Sequence, residues 1–66
     1  MYGTAVIKIR GCWMTRKTND EEGIYDLLLS VFGHEEAESA AVWCADAPIG
    51  SEYPSGNPDV EIYIED

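Results

Sequence analysis

The sequence predicts a small α+β domain, a single layer of two or three strands covered by one or two helices. Three observations carry this expectation. Apolar and polar residues alternate over 4–10 and again over 59–66, which is the period of a half-buried strand. Between them Ile24, Leu27, Leu28, Val31 and Phe32 recur at the spacing of one helix face. At 66 residues the chain has room for one core, so residues 1–66 are read as a single domain. A chain of this size buries only about 60% of its unfolded surface, which leaves a thin margin of stability.

In the first strand Ala5, Ile7 and Ile9 fall on one face, and Val6, Lys8 and Arg10 on the other. The strand extends toward Trp13 with Gly11 as a bulge, and residues 14–19 read as a polar connection. Asn19 or Asp20 then caps a helix whose first turn carries Glu21 and Glu22, where the helix dipole favours anions. Gly33 suits the left-handed position that ends it. Residues 35–45 open with Glu35, Glu36 and Glu38, and Ala37, Ala40, Ala41 and Cys44 keep i, i+3, i+4, i+7 spacing. Ala and Glu favour a second helix here; the alternative is a short strand over 41–45. Residues 46–58 hold all three prolines with Gly50 and Gly56 and read as a long loop. In the last strand Val60, Ile62 and Ile64 alternate with Glu61, Tyr63 and Glu65.

The expected order is therefore β-α-α-β, or β-α-β-β with the alternative strand. If the terminal strands pair directly, a right-handed crossover makes them parallel. Two strands leave open edges, and an exposed edge invites a homodimer or the addition of a partner's strand.

Charge is distributed unevenly. Lys8, Arg10, Arg16 and Lys17 are the only Lys and Arg, whereas the 13 Asp and Glu all follow Thr18, for a net charge of −9. One-signed stretches of this length destabilise the folded state by self-repulsion. They also oppose binding to nucleic acid and to anionic membranes, and attract basic surfaces. The candidate partner-binding residues are Glu22 and Asp26, which share a helix face, Glu35, Glu36 and Glu38 at the start of the next element, and Glu61, Tyr63 and Glu65 on the outward side of the last strand. Tyr63 between two acids has the character of an aromatic interface anchor. Acidity that serves only solubility is the competing reading.

No catalytic pattern accompanies the acids. His34 is the one histidine, and its spacing from Cys44 enforces no nucleophile–base pair. The EF-hand pattern and phosphate-cradling glycine loops are absent, so no metal or other cofactor is expected. Cys12 and Cys44 form no CxxC pair; both are expected as free, buried thiols of a reduced, soluble, cytoplasmic protein. Residues 1–10 lack the layout of a signal peptide, and no stretch approaches the ~20 apolar residues of a membrane span.

In size, in acidity and in its lack of catalytic motifs the chain resembles the small phage-encoded inhibitors of host defence, anti-CRISPR proteins among them. Acidic members of that class imitate DNA and occupy the basic channel of a CRISPR effector. The resemblance implies a non-enzymatic inhibitor that binds the nucleic-acid-binding surface of a CRISPR-Cas subunit through its carboxylates, acting in the host bacterial cytoplasm. It carries no residue-level motif, so it assigns no role to any single residue. The basic end at residues 8–17 departs from a pure DNA mimic. The alternatives are a small structural module that dimerises through a strand edge, and an antitoxin or adaptor that binds a basic partner protein.

Overall fold

Arg10 and Gly11 both take positive φ, 50° and 85°. Two successive residues of this kind make a tight hairpin turn whose twist matches that of paired strands. The chain therefore doubles back at Gly11 instead of bulging. The computed structural model, which describes residues 2–66, has the order β1 (Thr4–Ile9), β2 (Cys12–Lys17), α1 (Glu21–Phe32), α2 (His34–Asp46) and β3 (Val60–Glu65). Most of the stretch expected as a polar connection is thus strand β2. It carries no clean alternation because it is an edge strand with most of its residues exposed.

The α+β class holds, with three strands in one sheet and both helices present. The strand order is β2-β1-β3, and β1 pairs antiparallel with each neighbour. The expected parallel pairing of the first and last strands is corrected by the hairpin. Because β2 has already reversed the chain, the helices connect β2 to β3, and β3 runs alongside β2's direction, opposite to β1. Residues 41–45 lie within α2, so the short-strand alternative does not occur.

One face of the sheet is covered. Ala5 and Ile7 of β1 and Val60, Ile62 and Ile64 of β3 form one buried cluster with Ile24, Leu28, Ala37, Ala40, Ala41 and Cys44 of the helices. The alternation on β1 and β3 selects this face, as the sequence pattern implied. The small residues of α2 allow close packing of the helix pair over a sheet only three strands wide. Cys44 lies in this core, and burial pushes its thiol up to about 11. Cys12 is also free but exposed, at the start of the edge strand, which corrects the expectation that both thiols are buried. No helix among the described residues is long and apolar enough to cross a membrane.

The long loop after α2 is tied to the sheet. Gly50 N–H donates to Ile64 O at 2.8 Å, Ile64 N–H to Ser51 O at 2.9 Å, and Tyr53 N–H to Ile62 O at 2.8 Å. This segment acts as a short extra strand that closes the outer edge of β3.

Asp20 caps α1, its carboxylate accepting from the Gly23 N–H at 3.0 Å. The other end of α1 is set by Gly33, the single residue between the helices, at φ 80° and ψ 173°. Its N–H donates to Leu29 O and its carbonyl accepts from Ala37 N–H, both at 3.0 Å. One residue thus closes the last turn of α1 and the first turn of α2. Its backbone conformation is open in practice only to glycine, yet there is open space where a Cβ would stand. Gly33→Ala should therefore destabilise by about 1–3 kcal/mol through backbone strain alone. In a domain of this size that is a loss of several degrees or more in Tm, about 4–8 °C per kcal/mol. Calorimetric melting of the variant checks this, and an unchanged Tm would refute the strained corner.

A candidate acidic docking surface

The helices bury one face each and turn their carboxylates out. Glu21, Glu22 and Asp26 of α1 and Glu35, Glu36 and Glu38 of α2 are all exposed. The short corner at Gly33 brings the start of α2 back beside α1. There an open groove of about 500 Å³ is lined by Glu21, Glu22, Tyr25, His34, Glu38 and Ala41. The Tyr25 hydroxyl lies 2.6 Å from His34 Nδ1, with the two rings edge to face at 5.7 Å. His34 Nε2 lies 3.8 Å from the Glu38 carboxylate, one turn along α2. A proton on Nε2 faces Glu38 and leaves Nδ1 to accept from the Tyr25 hydroxyl. This chain of contacts fixes the corner and presents three carboxylates around two aromatic rings. The hydroxyl it sets beside the histidine is the Tyr25 phenol, which lines an open groove. No three His, Cys, Asp or Glu side chains among the described residues are grouped so as to hold a metal ion.

Glu36 is committed elsewhere. It accepts a hydrogen bond of 3.3 Å from the Tyr53 hydroxyl, which ties α2 to the long loop. The Tyr53 ring meets Trp43 at 5.2 Å and Phe32 at 6.0 Å. Burial, and then the neighbouring Glu36 charge and hydrogen bond, raise the Tyr53 pKa above the ordinary tyrosine value.

Glu61, Tyr63 and Glu65 lie on the opposite side of the molecule, on the sheet face the helices leave open, since Val60, Ile62 and Ile64 face the core. The fold therefore divides the eight candidate residues. Glu22, Asp26, Glu35, Glu36 and Glu38 share the helical layer; Glu61, Tyr63 and Glu65 do not join it. The open face is also electrically mixed. Lys8 stands 3.6 Å from Glu61 and 5.2 Å above the Trp13 ring, and Trp13 meets Tyr63 edge to face at 6.2 Å. Val6 beneath this cluster is only 6% exposed. Tyr63 is half-buried as a packing partner of Trp13.

Sequence reasoning missed Tyr25, the Tyr53–Glu36 contact and the cation–aromatic pair of Lys8 and Trp13. Tyr25 and His34 are nine residues apart, and only a one-residue corner brings them together. The Lys8–Trp13 neighbourhood requires the unseen hairpin, in which these residues are directly paired.

No family model matches this chain, and no curated protein and no solved structure shows significant similarity to it.

The Tyr53–Glu36 contact has a pH signature. A raised pKa means that the folded state holds the phenolic proton more tightly than the unfolded chain. Its stabilisation is complete below the ordinary tyrosine value of 10.0 and is lost as pH rises through the folded value. An absorbance titration of the phenols should show a late-ionising component that disappears in Tyr53→Phe. A variant that loses only an ordinarily titrating phenol, with no late component removed, would contradict the contact.

Proposed function

We propose that this protein is a non-enzymatic inhibitor that docks its acidic helical layer on a basic, nucleic-acid-binding surface of a partner protein. The observation that carries the reading is the arrangement of Glu21, Glu22, Asp26, Glu35 and Glu38. All five are exposed on the two helices, and none has a Lys or Arg partner among the described residues. Nearby cations would relieve their repulsion, yet the stretch from Thr18 to Asp66 contains none. Carboxylates held on a rigid helix pair can replace phosphates in a basic channel, and their field speeds encounter with it. A CRISPR effector in the bacterial cytoplasm is the partner type that the resemblance in size and charge suggests. The open groove with carboxylates around its rim supports a binding role.

The division of the acids between two faces refines the reading. Docking belongs to the helical layer, while Glu61 is occupied with Lys8 on the other side. Two charge reversals test this on a partner captured from host lysate and then purified. Glu22→Lys with Asp26→Lys, and Glu35→Lys with Glu38→Lys, should each weaken binding by roughly tenfold or more, and more steeply at low salt. Glu61→Lys with Glu65→Lys should have a much smaller effect. Duplex DNA should displace the wild-type protein from the partner. If DNA fails to compete and neither helical reversal changes affinity, the inhibitor reading is wrong and the acids serve solubility alone.

A further inference from the structure

The two edges of the sheet are treated differently. The outer edge of β3 is closed by the 50–53 segment, whereas among the described residues the outer edge of β2 has no neighbouring strand. The hydrogen-bonding phase of β2 follows from its ends. Thr18 N–H donates to Gly3 O at 3.1 Å, so the bonded pairs with β1 are Arg16 with Ala5, Met14 with Ile7, and Cys12 with Ile9. The N–H and C=O groups of Trp13, Thr15 and Lys17 then point away from the sheet. Arg16 confirms this phase, because its own guanidinium turns back to donate to the Thr15 carbonyl at 2.8 Å.

The unpaired cations among the described residues lie on this edge and in the turn that leads into it. Among the described residues Lys8 is bridged to Glu61, whereas Arg10, Arg16 and Lys17 have no carboxylate within ion-pair distance. Beside them Trp13 is 54% exposed. In a chain of net charge −9 these cations favour an anionic guest here.

We infer that the outer edge of β2 binds an acidic, extended peptide segment of a partner protein, which adds as a fourth strand. Main-chain bonds to Trp13, Thr15 and Lys17 would hold the guest. Its carboxylates would lie beside Arg16, which shares the face of Ala5, and its apolar side chains would cover Trp13 on the opposite face. The Arg16 guanidinium leaves the Thr15 carbonyl as the guest's N–H takes its place, and becomes available to a guest carboxylate. A second copy of this chain is a poor occupant. Two-fold pairing of β2 with itself requires bonded pairs of outward residues, as in Thr15 on Thr15 with Trp13 on Lys17. No such pairing sets an acid opposite Arg16 or Lys17, because β2 contains none. Cations on an edge thus discourage self-pairing while leaving it open to an acidic strand.

The probe is the blocked peptide acetyl-Glu-Val-Glu-Val-Glu-Val-Glu-amide, titrated into the isotope-labelled full chain and followed by amide NMR. Shifts and slowed amide exchange should concentrate at Trp13, Thr15 and Lys17 and spare both helices. The same peptide with Gln in place of Glu should bind roughly tenfold more weakly. Thr15→Pro removes an outward N–H that the sheet does not use, and should abolish binding. If that variant fails to fold, Arg16→Gln with Lys17→Gln serves instead, and should lose the preference for the Glu peptide over the Gln peptide. No response at millimolar peptide would overturn the inference. So would shifts confined to the helices, or sedimentation showing that the protein alone pairs through β2.

Discussion

Gly33 holds the two helices together through one residue, and the acidic layer takes its form from that link. The residue ends α1 and begins α2 with hydrogen bonds on both sides, in a conformation that a side chain would strain. A longer connection would let the helices separate. With this one, His34 falls beside Tyr25 and Glu38 comes round toward Glu21 and Glu22. The corner therefore compresses like charges that would otherwise move apart. The cost of that repulsion is met by the core below, where Ala37, Ala40, Ala41 and Cys44 of α2 pack with Ile24 and Leu28 of α1 over the sheet.

The second organising feature is the turn at Arg10 and Gly11. By reversing the chain it forms an edge strand from the only segment rich in cations, and it places that strand on the far side of β1 from the acidic β3. The molecule consequently has three chemically distinct surfaces. The helical layer is acidic. The open sheet face is mixed, with Lys8 linking Glu61 to Trp13. The β2 edge is basic and unpaired. A protein that only needed solubility would gain from interspersed signs, because neighbouring opposite charges relieve repulsion at no loss of hydration.

Much of this could be read from the sequence, and the reasons for the remainder are specific. β1, β3 and α1 bury one face each, so their residues alternate or recur with the period of the element. The second helix was readable from its alanines once helix propensity was weighed against the short apolar run at 41–45. β2 was hidden because an edge strand outside the helical cover has little need of alternation. Its turn was hidden because Arg10 takes a positive φ, without the Asn or Asp that normally signals such a turn. Missing that strand also inverted the expected direction of β3 relative to β1. The acidic surface was legible as composition but not as geometry. Nothing in the spacing of Glu36 or Glu61 shows that the first is held by Tyr53 and the second by Lys8.

The segregation of charge onto separate surfaces is the central claim, and it can be measured on the isolated protein. Cationic and anionic nitroxide co-solutes of equal size accelerate the relaxation of amide protons according to the local potential. The ratio of the two effects maps that potential residue by residue. Amides of 21–46 should be relaxed much more strongly by the cationic co-solute, and those of 12–17 by the anionic one, with both preferences fading as salt is added. A cationic preference of equal strength over the helices and the β2 edge would contradict the account.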